Sequence, residues 1–372
     1  VVHGKHAVAS TALAGAAAVE RSLGDVGRSN VSNANTSRTS DVDRISMSVA
    51  TELITVARPL VGFTPIPIGI LRHVESFGFD LYQDEGGTSP SFLWGKDYTI
   101  NSSELAVLLK RGASYLYIRN EDRTAENEQF WTTIQTLLCS PAEPIERFQL
   151  LHEVSTSCLD AVFQKVQTDS IVAATMTIAR QLAQLLENER VSTREIWDIV
   201  RYSTETFAHV MNVATYSVLI AKRRNVSGQE LAQVAIGGLL HDIGKRHIAR
   251  RAMANPADLT PAERDVLYAH PQAGYEELCN RPDMHFGALM MVYQHHERPD
   301  GEGYPVAVTT EDTHLWARIC SVADTFDNLT GKRPHRRLID LPTALEQLEH
   351  IAGGNRLDWE IVRCWREILS KS

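Results

Sequence analysis

The segment "VSTREIWDIVRYSTETFAHVMNVATYSVLIAKRR", residues 191–224, repeats its apolar side chains at intervals of three and four. That is the helical period, so the stretch reads as helix with a buried stripe. The texture continues downstream. "SGQELAQVAIGGLLHDIGK" (227–245) opens with Ser227 and Glu230 at capping-box spacing. "LTPAERDVLYAH" (259–270) does the same with Thr260 as cap, Pro261 at the first helical position and Glu263 at the third. "MHFGALMMVYQHH" (284–296), "LWARICSVADTFDNLTG" (315–331), "PTALEQLEHIAG" (342–353) and "WEIVRCWREIL" (359–369) extend the pattern to the C-terminus. The expected fold class is mainly α, with a C-terminal all-α helical bundle of roughly seven or more helices.

Upstream the texture changes. "FLWGKDYTI" (92–100) and "SYLYIRN" (114–120) are aromatic and β-branched, as strands are, and "NSSELAVLLKRG" (101–112) between them reads as a helix stopped by glycine. These residues predict a small N-terminal mixed α/β domain over 51–140, followed by linking helices over 141–195 and the helical domain over 196–372. "SPAEPIE" (140–146) is the expected joint. "DVGRSNVSNANTSRTSDVD" (25–43) has too few large apolar residues to offset the entropy of ordering, so 1–50 is expected to be a flexible tail.

Composition narrows the function. The 372 residues carry 37 Lys and Arg against 46 Asp and Glu, a net charge of −9, so no global basic field attracts DNA or RNA. An anionic substrate would need local positive charge, from a metal or a small basic cluster. The five cysteines (139, 158, 279, 320 and 364) are dispersed, which fits a reducing compartment. No apolar run approaches the roughly 18 residues of a membrane span, and a cytoplasmic location is expected. The chain starts at Val1 and not at Met, which leaves room for a longer native N-terminus.

Within the helical half, metal-capable side chains recur about one helix and one loop apart. Glu205 and His209 share a helix face; His241 and Asp242 are adjacent, with Lys245 on the face of His241; then come His270, the pair His295 and His296, and Asp324. Singly, each histidine reads as an ordinary core side chain. Together they suit a site in a bundle core, built from nitrogen and oxygen donors and favouring Fe, Mn, Co, Ni or similar ions over a thiolate zinc site. Seven or eight donors exceed one ion's needs, so two or three ions sharing a carboxylate are expected, with Asp242 as the bridge. After His296 the loop "DGEGYP" (300–305) is read as needing backbone freedom at Gly301 and Gly303, with Glu297, Arg298 and Asp300 salt-bridged to hold it.

"HDIGK", His270-Pro271 with Gly274, "HHERPDGEGYP" and "ARICSVADTFDNLTGKRPHRR" closely resemble the HD-GYP family, a branch of the HD superfamily of metal-dependent phosphohydrolases. The resemblance runs from about residue 190 to the C-terminus. It implies an HD-type bundle that hydrolyses the bacterial second messenger cyclic di-GMP to pGpG, GMP or both. Two or three divalent metals, Fe or Mn foremost and Ni, Co or Mg besides, would lower the pKa of a shared water from about 15.7 towards 7. By the same resemblance the ligands are His209, His241, Asp242, His270, His295, His296 and Asp324, with Glu205 serving a third ion. Asp242 and Lys245 are the catalytic pair, and Lys245, Tyr304, Arg333 and Arg336 contact substrate. Implied partners are cyclic di-GMP, GGDEF or other signalling proteins at the GYP loop, and a second copy as a homodimer. His335 stands where the family usually has Tyr, and "HIARRAMANPADLT" (247–260) lacks the family's Ile-Pro and Lys-Pro-Gly, departures that bear on the substrate pocket.

Overall fold

The structure, a computed structural model, describes residues 60–370 except 72, 74, 97, 123–127, 164–167, 189–190, 201–207, 248–259 and 332–338. The tail expected at 1–50 lies outside them, as do Glu205, Arg333 and Arg336.

Four antiparallel strands form one sheet in the order β1-β4-β2-β3: β1 Phe63–Pro67, β2 Leu81–Gln83, β3 Ser91–Trp94 and β4 Tyr115–Arg119. Pro65 and Pro67 are tolerated because β1 is an edge strand, where a missing N–H disrupts no second ladder. Helix α1, Ser102–Lys110, is capped by the Asn101 side chain, which accepts from the Ser103 amide at 2.8 Å. The expected strand 92–100 is shorter than its aromatic texture suggested. The chain leaves the sheet after Trp94, the Lys96 amide donates to Asp80 Oδ1 at 3.0 Å, and the Trp94 and Tyr98 rings stack at 5.1 Å. Those aromatics pack a turn.

The helices that follow are α2 Glu128–Leu138, α3 Pro144–Phe163, α4 Thr168–Asn188, α5 Thr193–Val200, α6 Ala208–Arg223, α7 Gly228–Leu240, α8 Pro261–Tyr268, α9 His270–Leu278, α10 Phe286–Gln294, α11 Leu315–Thr330, α12 Leu341–Gly353 and α13 Trp359–Ser370. A short 3-10 segment, Ile243–His247, follows α7. One apolar core runs from Ile66, Leu116 and Ile118 of the sheet, through Leu150, Leu151 and Val154 of α3, to Trp365 of α13. Helix α6 is buried on nearly every face, packed against α7 and α11. Tyr216, Phe326 and Trp365 meet with ring centroids 5.2 to 5.3 Å apart, tying α6 to α11 and α13. That contact sets the register in which His209 of α6 faces Asp324 of α11.

Thr260 and Glu263 form the expected capping box on α8. Ser227 does not cap α7 with its side chain; instead the Gly228 amide donates to Glu187 Oε1 of α4 at 2.7 Å. All five cysteines are free thiols. No helix among the described residues is long and apolar enough to cross a membrane.

Candidate metal centre

The metal-capable side chains sit mostly at helix ends, where backbone carbonyls lack intrahelical partners. His241 is the C-cap of α7, and its Nδ1–H donates to Gly238 O at 2.8 Å. His295, the C-cap of α10, donates from Nδ1 to Met291 O at 3.0 Å and Val292 O at 3.1 Å. His270 opens α9 and donates from Nδ1 to Leu267 O at 2.5 Å. His209, within α6, donates from Nδ1 to Asp327 Oδ2 at 2.7 Å. A carbonyl can only accept, so in the neutral rings the proton is on Nδ1 and Nε2 keeps its lone pair.

Those lone pairs converge on two carboxylates. Nε2 of His209 lies 3.2 Å from Asp324 Oδ1 and 3.8 Å from Asp242 Oδ2; that of His241 lies 3.4 Å from Asp242 Oδ2 and 4.0 Å from Asp324 Oδ1. On the other side of Asp242, Oδ1 is 3.2 Å from His270 Nε2 and 3.7 Å from His295 Nε2, and those two nitrogens are 3.2 Å apart. His241 Nε2 and Asp242 Oδ1 are buried without a hydrogen bond of acceptable geometry. The lone pairs of His241, His270 and His295 thus face other acceptors, which repel at these distances unless cations lie between them, and the donor set fits divalent metal. The atoms fall into two groups, each within 4.8 Å: Asp242, His270, His295 and His296; and His209, His241 and Asp324. Asp242 stands between them, in contact with both. Glu205, expected beside His209, lies outside the described residues.

The electrostatics are those of a charged knot in a protein interior. Burial would raise Asp242, but the charges of His241 and Lys245 outweigh it and hold the carboxyl well below its ordinary range. Asp324 is likewise held down against burial by its hydrogen bond to His209. Burial lowers His270, pushes His295 to about 4 and takes His296 well below its usual value, where the His295 charge adds to it. His209 goes the other way: burial is outweighed by Asp324 and Asp327, and it rises to about 10.

These shifts have opposite linkage signs. The three lowered histidines stabilise the metal-free fold above their unfolded value of 6.5, and that stability is lost as pH falls towards the 4 of His295. His209 stabilises it below 6.5, and that stability is lost as pH rises through about 10. The thermal midpoint of chelator-treated protein is therefore expected to peak near pH 6.5 and decline on both sides. A midpoint flat from pH 4 to 9 would contradict this arrangement.

The GYP loop is held differently from expectation. Glu297, 4% exposed, accepts the amides of Val306 (2.7 Å), Ala307 (3.2 Å) and Val308 (3.1 Å), so it ties down backbone and pairs with no cation among the described residues. Arg298 does pair, with Asp300 and with Glu302 at 3.4 Å. Gly301 has φ 73° and needs glycine for that reason, whereas Gly303 needs it for space: a Cβ there would meet Arg298 N and Glu297 Cα at 2.5 Å. The Tyr304 ring stacks on His296 at 4.6 Å with the Tyr268 ring edge-on at 4.8 Å, so one face is already engaged. Lys245 Nζ donates to Asp242 Oδ2 at 2.6 Å. Arg333 and Arg336 lie outside the described residues.

Two residues that the sequence reading passed over support the site. Asp327, one turn after Asp324 and on the same face of α11, orients His209; Asn212, one turn after His209, donates to Asp327 Oδ1 at 2.8 Å. The three-residue spacing in "ADTFDN" was the available signal for Asp327.

Comparison with known proteins gives four findings. A family profile described as HD domain matches residues 167–361. The chain is 30% identical over 203 residues to a cyclic di-GMP phosphodiesterase response regulator of Xanthomonas campestris pv. campestris, covering 53% of each. It is 35% identical over 148 residues to a 3'3'-cGAMP-specific phosphodiesterase of Vibrio cholerae, covering 40% of this chain and 32% of that protein. The chain thus spans about half the length, or less, of these curated relatives. A solved structure described as an HDG"Y"P protein from Bdellovibrio bacteriovorus superposes with a TM-score of 0.57 over 83% of this chain and 99% of that one. At 15% identity that likeness speaks for the fold alone.

Proposed function

We propose that this chain, which belongs to the HD domain family and carries the motifs of its HD-GYP branch, is a metal-dependent phosphodiesterase that hydrolyses cyclic di-GMP to pGpG, GMP or both. The observation that carries the reading is the convergence of four imidazole Nε2 atoms on the buried Asp324 and the largely buried Asp242 carboxylates, an arrangement that calls for cations. The relatives named for cyclic di-GMP and for 3'3'-cGAMP supply the substrate class, and the second name makes the hybrid dinucleotide the alternative substrate.

Bound divalent ions would neutralise the phosphodiester and make water nucleophilic near neutral pH. His209, His241 and Asp324 would hold one ion and His270, His295 and His296 the other, with the Asp242 carboxylate shared; Glu205 would serve a third. Nitrogen and oxygen donors without thiolate favour Fe or Mn. The Nδ1–H bonds to backbone carbonyls and to Asp327 orient the rings of His209, His241, His270 and His295 so that each presents Nε2, and these four need not reorient. Lys245, 2.6 Å from Asp242, would place a point charge where a phosphoryl oxygen gains negative charge. The Glu297-bound loop keeps Tyr304 against His296 at the rim. Arg333 and Arg336 remain the proposed guanine and phosphate clamp.

The test is anaerobic purification with metal analysis, then chromatography of incubations with cyclic di-GMP and with 3'3'-cGAMP. Two or three ions per chain and conversion of cyclic di-GMP to linear products are expected. A loaded protein that binds the dinucleotide without turning it over would overturn the enzyme reading. Lys245→Met should lower kcat about tenfold to a hundredfold with metal content unchanged.

A further inference from the structure

His152 lies in α3, upstream of the matched HD domain that begins at residue 167, and it is fully buried. Its Nε2 is 2.9 Å from Asn212 Oδ1. The direction of every bond beyond it is dictated by chemistry. A carboxylate only accepts, so the Asn212 group 2.8 Å from Asp327 Oδ1 is the amide Nδ2, and the Oδ1 facing His152 is an acceptor. His152 must therefore donate from Nε2. Its Nδ1 is buried with no partner among the described residues, as the neutral Nε2–H tautomer requires. The donations converge on Asp327: His152 to Asn212 and Asn212 to one carboxylate oxygen, with His209 donating to the other at 2.7 Å. Beyond it lies His209 Nε2, 3.2 Å from Asp324. One turn before His152, Gln149 donates to the Tyr115 hydroxyl of β4 at 2.5 Å, so α3 touches the sheet and the site's supporting bonds within four residues.

We infer that His152 is a positioning residue for the ion held by His209, His241 and Asp324, acting through Asn212 and Asp327, so that occupancy of this one ion site depends on how α3 is seated. The inference rests on the metal reading above. A core histidine merely filling space would serve the fold and leave the two ion sites alike. A positioning residue makes them unequal, because among the described residues the hydrogen bond from His152 runs to Asn212 and none runs towards His270, His295 or His296. Removing the donor leaves the buried Asn212 Oδ1 unsatisfied, so the amide is held only through Nδ2, to Asp327 at 2.8 Å and Val200 O at 3.5 Å, and its hold on Asp327 and on the orientation of His209 loosens.

The experiment uses the full chain, stripped by chelation and titrated with Mn(II), with stoichiometry and electron paramagnetic resonance as readouts. His152→Phe keeps the ring volume and removes the donor. It is expected to weaken one ion site about tenfold and spare the other, replacing the coupled two-ion spectrum by that of a single ion. His152→Gln, which returns an N–H donor at similar reach, should restore the coupled spectrum. If His152→Phe does not fold, Asn212→Ala breaks the same link from the other side and reads the same quantity. Unchanged binding at both sites, or equal loss from both, would overturn the inference. Wild-type protein that takes up no Mn(II) would overturn the metal reading itself, and is distinguished in the wild-type arm alone.

Discussion

Asp242→Asn is expected to empty both halves of the centre and to lower turnover by on the order of a thousandfold, about 4 kcal/mol of lost transition-state stabilisation. The carboxylate faces both groups of imidazoles, with Oδ2 towards His209, His241 and Lys245 and Oδ1 towards His270 and His295. Asparagine keeps the shape and removes the charge that two cations would share. It also turns one oxygen into an N–H donor aimed at nitrogen lone pairs, which relieves the repulsion between acceptors in the stripped protein. The pairing with His241 and Lys245 is lost as well, so the thermal midpoint of the metal-free variant should fall modestly, with the far-ultraviolet circular dichroism of the wild type kept, while metal content falls towards zero. That combination separates a lost ligand from a damaged fold. Retention of two ions with near-normal turnover would rule out Asp242 as the shared ligand.

Gly244→Ala is expected to cost about 3 kcal/mol or more of stability and to unseat His270. Gly244 lies in the 3-10 segment directly after Asp242, pressed against the first turn of α9. A Cβ there would sit 2.0 Å from His270 O and 2.8 Å from Gly274 N, both backbone atoms that cannot rotate away. Relief requires α9 to move off the segment, carrying the imidazole that faces Asp242 Oδ1. A clear drop in the thermal midpoint with loss of one ion is the expected result. An unchanged midpoint would mean that the two backbones are not in contact.

Much of this was readable before the structure. Periodicity around 191–224 was enough for an α bundle, and histidines recurring once per helix were enough for a shared site, because helix ends are where a bundle brings distant residues together. What escaped had little local signature. The bond from His152 to Asn212 joins residues 60 apart and that from His209 to Asp327 residues 118 apart; the spacing of Asp324 and Asp327 hints at the second, and nothing nearby marks the first. Texture misled where tertiary contacts overrode it. The aromatics of "FLWGKDYTI" stack in a turn, β1 went unread because its prolines argue against strand, and Ser227 yielded its capping role to Glu187 from another helix. Glu297 looked like half of a salt bridge because its charge is visible in sequence and the three amides it gathers are not.

Those three amides give the loop a mechanical frame. By binding Val306, Ala307 and Val308 to the residue that follows the histidine pair, Glu297 closes the intervening chain into a ring whose two ends are joined at the base. Within that ring the positions are unequal: Gly303 presses on Glu297 and Tyr304 lies on His296, so a change at either is felt by the imidazoles, whereas the exposed Glu302 touches neither. The rim of the pocket is in effect a clasp, fastened to the metal ligands at two points and open to variation between them.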